Sequence, residues 1–177
     1  DESLREGKRG LELDPLDLAN NAHTGWHYLF ERQYDQSLEP LRKAIELDTT
    51  FPVPQWYLGL ALEQRGDLDG AIAQFDYTVR ITGGNRPSML ALLGHAYGAA
   101  HRQTDAEAIL RRLEELSKTT YVPSYGVAAI YVALGRKDDA FTYLEKAYDE
   151  RDSWMDYLGL DPRLDGLRSD PRFGDLM

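Results

Sequence analysis

The chain has no cysteine among its 177 residues, which excludes disulfides, thiol nucleophiles and thiolate metal sites. That absence does not fix the compartment. No stretch approaches the roughly 18 consecutive apolar residues of a membrane-spanning helix. The opening DESLREGKRGLELD lacks the basic and apolar regions of a secretory leader. Positive charge is also scarce: 20 basic against 30 acidic residues give a formal net charge of −10, the wrong sign for attraction to phosphate. No nucleic-acid partner and no membrane insertion are therefore expected. There is no initiator Met, and a helical pattern is under way within the first dozen residues, so the sequence reads as part of a longer protein. A cytoplasmic location is expected unless that parent spans a membrane.

What the sequence does have is a period. Small residues recur at Gly25, Gly59, Gly94 and Ala128, spaced by 34, 35 and 34. Three positions after each stand Tyr28, Leu62, Tyr97 and Tyr131, and twelve after each stand Ser37, Ala71, Ala106 and Ala140. Leu41, Phe75, Leu110 and Leu144 follow, then Ala44, Thr78, Leu113 and Ala147. A period of this length is that of a helix-turn-helix repeat. Its chemistry is steric, because two antiparallel helices approach closely only where one offers Gly or Ala and the other inserts a large side chain. Turn signals at Arg32-Gln33, Gly66-Asp67, Arg102-Gln103 and Gly135-Arg136 divide each unit. Helices are expected near 17–31 and 34–48, 53–65 and 68–82, 87–101 and 104–118, and 122–134 and 137–150, with no strand alternation anywhere.

Residues in WYLGLALEQRGDLDGAIAQF and YVALGRKDDAFTYLEKAY resemble the tetratricopeptide-repeat (TPR) family over about 150 residues. The resemblance implies an all-α, right-handed α-solenoid of antiparallel helix pairs with C-terminal capping helices. It is read as one domain over 1–177: residues 1–15 the second helix of a truncated repeat, repeats at 18–51, 52–86, 87–120 and 121–152, and a cap over 153–177. Departures from the family pattern are Thr24 in repeat one and Leu113 in repeat three. Asp161-Pro162 and Asp170-Pro171 each read as an N-cap followed by Pro at the first helical position. The C-terminal stretch also resembles the TPR tails of large bacterial proteins that carry a kinase, nucleotide cyclase or winged-helix regulator, although none of those motifs occurs here.

Candidate reactive groups are sparse. His23 and His27 share a helical face, but Thr24, Gly25 and Trp26 between them supply no Glu and no third ligand follows, so no metal site is expected. Asp138-Asp139, Asp149-Glu150 and Asp152 read as solvated helix ends, not an ion loop. ITGGNRP, at 81–87, lacks the Lys-Ser/Thr of a phosphate loop and reads as a helix terminator whose two glycines take left-handed conformations. No nucleophile elbow is present, so no catalytic residue, cofactor or enzymatic activity is expected.

In the TPR family the first helix of each pair lines a concave surface. Carried over by register, the resemblance places Trp26, Leu29, Phe30, Trp56, Leu60, Glu63, His95 and Tyr125 there. The positions of the family's peptide-carboxylate clamp hold Ala22, Trp26, Tyr57, Ser88 and Leu92 instead of Lys, Asn and Arg, which disfavours that ligand. The expected function is non-catalytic binding of a protein segment, from another protein or the parent chain, in an aromatic groove. The alternative is an accessory regulatory or sensory domain of a larger bacterial kinase, cyclase or transcription regulator. An unpaired N-terminal helix bearing Leu4, Leu11 and Leu13 is expected to favour self-association.

Overall fold

Two kinds of helix alternate along the chain, and composition explains the alternation. The computed structural model describes residues 2–177, among which there is no strand. α2 (Leu18–Phe30), α4 (Pro52–Gln64), α6 (Pro87–Ala99) and α8 (Ser124–Ala133) hold one formally charged side chain between them, Glu63. A helix apolar around most of its circumference is stable only when packed on several sides. α6 accordingly buries nearly everything from Met89 to Ala96. The other members of the pairs, α3 (Tyr34–Leu47), α5 (Leu68–Ile81), α7 (Gln103–Ser117) and α9 (Lys137–Asp149), are amphipathic, with one apolar stripe and one charged face.

The chain divides into two compact units, one ending at Thr82 and one beginning at Gly83. In the first, α1 (Glu2–Leu13) packs on α2, α2 pairs with α3, and α4 pairs with α5; α2 and α4 also lie side by side. In the second, α6 pairs with α7 and α8 with α9, while α6 and α8 are neighbours. Two 3₁₀ turns, Ser153–Tyr157 and Pro162–Leu167, and the short α10 (Pro171–Leu176) follow. Every expected helix is present within about two residues. α8 starts at Ser124 instead of 122 because Pro123 keeps the residue before it out of the helical region.

Close approach at the small residues is what joins each pair. A Cβ on Gly59 would stand 2.5 Å from Phe75 Cε1, and one on Gly25 would collide with Leu41. In the third pair the partner differs from the register, because Gly94 faces Ile109 and Ile130 instead of Leu110, which is only half-buried. Leu113, the departure noted in that unit, is 1% exposed and fills the space that Ala44, Thr78 and Ala147 leave small in the others.

The turn between the helices of a pair is equally regular. Arg32, Gly66, His101 and Gly135 have φ of 59°, 84°, 58° and 72°, and thus recur at 34, 35 and 34 residues. In each case the next residue donates its N–H five residues back, to the carbonyl of Tyr28, Leu62, Tyr97 or Tyr131, at 2.8–2.9 Å. This left-handed terminator satisfies carbonyls that the helix end would leave open. In the last two pairs the guanidinium of Arg102 lies 4.5 Å from the Tyr97 ring centroid and that of Arg136 lies 4.7 Å from Tyr131. The left-handed residue of the third turn is His101, one before the Arg102-Gln103 signal. Gly83 and Gly84 both take positive φ, as ITGGNRP implies.

The N-terminal helix buries only part of its apolar surface. Leu4 is 8% exposed and Leu11 half-buried, while only Leu13, at 82%, faces outward. The outward flank is Arg5, Glu6, Lys8, Arg9 and Glu12. α1 turns Leu4 toward α2 and presents these charged residues together with Leu13 on its outer side.

Two stability outcomes follow from this packing. Gly59→Ala should cost about 1–3 kcal/mol, because the Phe75 ring must move off its rotamer; urea denaturation measures this, and an unchanged midpoint would contradict the contact. At the turns a non-glycine residue in the left-handed region costs roughly 1–2 kcal/mol, partly offset in glycine by its greater unfolded-state freedom. His101→Gly should therefore raise stability by about 0.5–1 kcal/mol, and a lowered midpoint would show that the imidazole contributes more than the backbone strain removes.

Candidate protein-binding surface

On α2, Trp26 and Phe30 are one turn apart and share a face; on α4, Trp56 and Tyr57 are adjacent. Because α2 and α4 pack side by side, these residues meet. Trp26 lies 5.2 Å from Phe30 and 6.4 Å from Tyr57 between ring centroids, and Trp56 stacks on Tyr57 at 4.8 Å. His27 sets its edge against Trp26 at 4.8 Å. All five are half-buried, so a contiguous aromatic surface remains partly open to solvent. Burial, reinforced by nearby His23 and opposed by Glu31, holds the His27 imidazole below its ordinary pKa. It is therefore neutral near pH 7, so His27 adds no charge of its own to the aromatic cluster.

Of the residues expected in the groove, Trp26, Phe30 and Trp56 are thus brought together. Leu29 at 2%, Leu60 at 5%, Glu63 at 6% and His95 at 5% exposure are buried instead. Tyr57 and His27 complete the surface, and both had been considered only for other chemistry, as a carboxylate-clamp position and a metal ligand. Aromatic residues at i and i+4 beside an aromatic pair on the next first helix were the available signal.

Tyr125 is the clearest correction. It is 1% exposed, covered by the C-terminal segment that follows α9. Its hydroxyl donates to Asp161 Oδ2 at 2.9 Å, its backbone N–H donates to Asp152 Oδ2 at 3.3 Å, and Trp154 stacks over its ring at 6.3 Å. Burial above all, with the adjacent Asp161 carboxylate, holds the phenol far above its ordinary range, so it remains a donor. Asp152 is not the solvated helix end that sequence suggested: it is 7% exposed and also caps the 3₁₀ turn through Trp154 N–H at 3.1 Å.

Asp161 and Arg163 form a buried ion pair, with Arg163 Nε 3.0 Å and Nη2 2.6 Å from carboxylate oxygens. Burial opposes ionisation of Asp161, but the Arg163 charge, the hydrogen bonds from Arg163 and that from Tyr125 outweigh it and leave the carboxyl below its ordinary pKa. Asp161 and Asp170 cap their following helical turns through Arg163 and Arg172 N–H, as Asp-Pro implied. Leu158, Leu164, Leu167 and Phe173 pack onto the core formed by α8 and α9.

Family comparison agrees with the repeat. Models described as tetratricopeptide repeat match residues 24–86 and 125–152, which together span just over half of the chain. The chain belongs to the tetratricopeptide-repeat family. The third pair lies outside both matches yet forms the same hairpin, with Leu113 as its departure. Among solved structures, a crystal structure of MamA protein superposes with a TM-score of 0.58 at 20% identity, covering 87% of this chain and 84% of that one. A second MamA structure gives 0.56 at 20% identity, with 87% and 90% covered. At that identity the likeness shows the fold, an all-helical TPR solenoid architecture. No curated protein sequence is significantly similar to the chain.

The buried pair generates a pH-dependent outcome. A carboxyl whose pKa is depressed by folding contributes stability above its unfolded value, roughly 3.9, and that contribution is lost as pH falls through the folded value. Removing one partner of such a pair costs about 3–5 kcal/mol. Arg163→Met should therefore lower stability by that order at pH 7 and shrink the loss seen between pH 6 and pH 3. Urea melts at both pH values test this, and an equal acid-induced loss in variant and parent would contradict it.

Proposed function

We propose that this chain is a non-catalytic interaction module whose aromatic face on α2 and α4 holds an apolar segment of a partner protein or of its own parent chain. One observation carries the reading: four half-buried aromatic side chains, Trp26, Phe30, Trp56 and Tyr57, gather on two neighbouring helices with almost no formal charge. Tryptophan and tyrosine give large contact area at small entropic cost and are enriched among residues that dominate binding energy. TPR membership supports an interaction scaffold, and the absence of Lys and Asn at the clamp positions argues for apolar side chains over a terminal carboxylate. Glu63, being buried, takes no part in choosing a charged partner. The alternative, a regulatory domain of a larger kinase, cyclase or transcription regulator, is compatible with the same surface if the segment it holds belongs to the parent.

Trp56→Ala should weaken partner affinity by about 2 kcal/mol or more, while costing less stability than the burial of a core aromatic would imply. Affinity by calorimetry and melting temperature should be measured on the same variant. Unchanged affinity in a folded Trp56→Ala protein would remove the aromatic face from binding.

A further inference from the structure

The charge of the chain is not spread evenly. Residues 1–82, the unit that carries the aromatic face, hold 15 of the 30 acidic residues but only 8 of the 20 basic ones, a formal −7 out of −10. No Lys or Arg occurs between Arg9 and Arg32, or between Lys43 and Arg65. Both first helices of this unit, and the connections that lead into them, therefore supply no cation from Lys or Arg.

Topology brings the acidic residues of those connections to one end. Successive helices joined by short turns run antiparallel, so α2 and α4 point the same way, and the connections at 14–17 and 48–51 lie at their shared N-terminal end. Glu12, at the close of α1, and Asp14 and Asp17 after it come to this end from one connection, and Asp48 comes from the other. The first three are exposed and Asp48 is half-buried.

Local structure accounts for the residue type at three of these positions. Asp14 Oδ1 accepts the Leu16 N–H at 3.0 Å, Asp17 Oδ1 the Asn20 N–H at 2.8 Å, and Asp48 Oδ1 the Thr50 N–H at 2.8 Å and its hydroxyl at 2.7 Å. Each contact uses Oδ1 and leaves the charge in place. Cations of the unit are engaged at other points: Lys8 lies over the Tyr28 ring at 5.1 Å, while Lys43 pairs with Glu46 at 3.4 Å, Arg65 with Asp35 at 2.6 Å and Arg80 with Asp76 at 3.4 Å. The aromatic residues Trp26, Phe30, Trp56 and Tyr57 thus sit on two helices whose N-terminal ends are flanked by carboxylates.

We propose that the segment held by the aromatic face carries Lys or Arg on one side of its apolar anchors, and that these cations lie over the acidic end formed by Glu12, Asp14, Asp17 and Asp48. The inference rests on the aromatic face being the binding surface, and adds the charge and the direction of what it holds. Opposite charge raises the encounter rate and fixes which way round a segment lies, while the aromatic contacts retain it. Because most of these carboxylates are exposed, salt screens their contribution.

A random 12-residue phage-displayed peptide library, panned against the full chain at low salt, supplies the probe; enriched peptides are synthesised and measured by calorimetry. The triple variant Asp14→Asn, Asp17→Asn, Asp48→Asn removes three charges while asparagine keeps an oxygen for each N–H. Trp56→Ala tests the face itself. A control, Glu114→Gln, Glu145→Gln, Asp149→Asn, removes the same charge from exposed positions of the other unit. The expected peptides carry Lys or Arg beside apolar residues and lose about tenfold or more in affinity on the triple variant at about 50 mM NaCl, with little of that difference left at about 500 mM. They also weaken on Trp56→Ala and are unchanged by the control. Circular dichroism checks folding, and if the triple variant does not fold, the exposed Asp14→Asn alone decides, with a loss of about twofold or more. Peptides that need Trp56 but carry no cation, or that ignore the triple variant, would overturn this inference and leave the aromatic face standing. An equal loss on the control would assign the effect to overall charge and overturn the acidic end. Peptides indifferent to Trp56→Ala, or no enrichment at all, would overturn the aromatic face and this inference with it.

Discussion

The structure depends on the distance between the two helices of a pair. Where Gly25 meets Leu41 and Gly59 meets Phe75, no side chain can stand between the backbones. That approach converts a neutral, apolar first helix and an amphipathic second helix into one unit with a buried seam. It also decides which residues remain outside the seam. On α2, Gly25 turned toward α3 leaves Trp26 and Phe30 on one side and Thr24 and Tyr28 on the other. The aromatic face is thus a consequence of one packed contact.

The turns repeat as strictly as the contacts. Left-handed residues at Arg32, Gly66, His101 and Gly135 keep the same hydrogen bond whether or not glycine is present. A two-helix unit of this kind buries its apolar face only by stacking on a neighbour. The C-terminal end solves the same problem differently: Trp154, Leu158, Leu164 and Phe173 fold onto α8 and α9, and buried Asp161, Arg163 and Tyr125 hold the segment in register.

The fold was legible because its signal is redundant. Small residues, their large partners and the turn positions each recur at the same interval, so the helix pairs could be placed without any single residue being decisive. The candidate surface was less legible because register assigns a side to a residue but not its exposure. Leu29, Leu60, Glu63 and His95 are consumed by packing. Tyr125 is taken by a segment whose path back over α8 no local pattern specifies. Asp152 and Asp161 illustrate the same limit: the first reads as a solvated helix end and the second as an N-cap, and only the tertiary path reveals that each also receives a hydrogen bond from Tyr125. Tyr57 was visible as an aromatic residue but not as the link between Trp26 and Trp56, because that link crosses from one helix to the next.

The central claim is that the aromatic face of α2 and α4 is where a partner segment lies. Hydrogen–deuterium exchange on the full chain, free and saturated with its captured partner segment, addresses it most directly. The account predicts that added protection is greatest in peptides spanning 18–30 and 52–64, whose first helices carry the open aromatic side chains. Protection concentrated in the amphipathic helices, with those two segments unchanged, would contradict it.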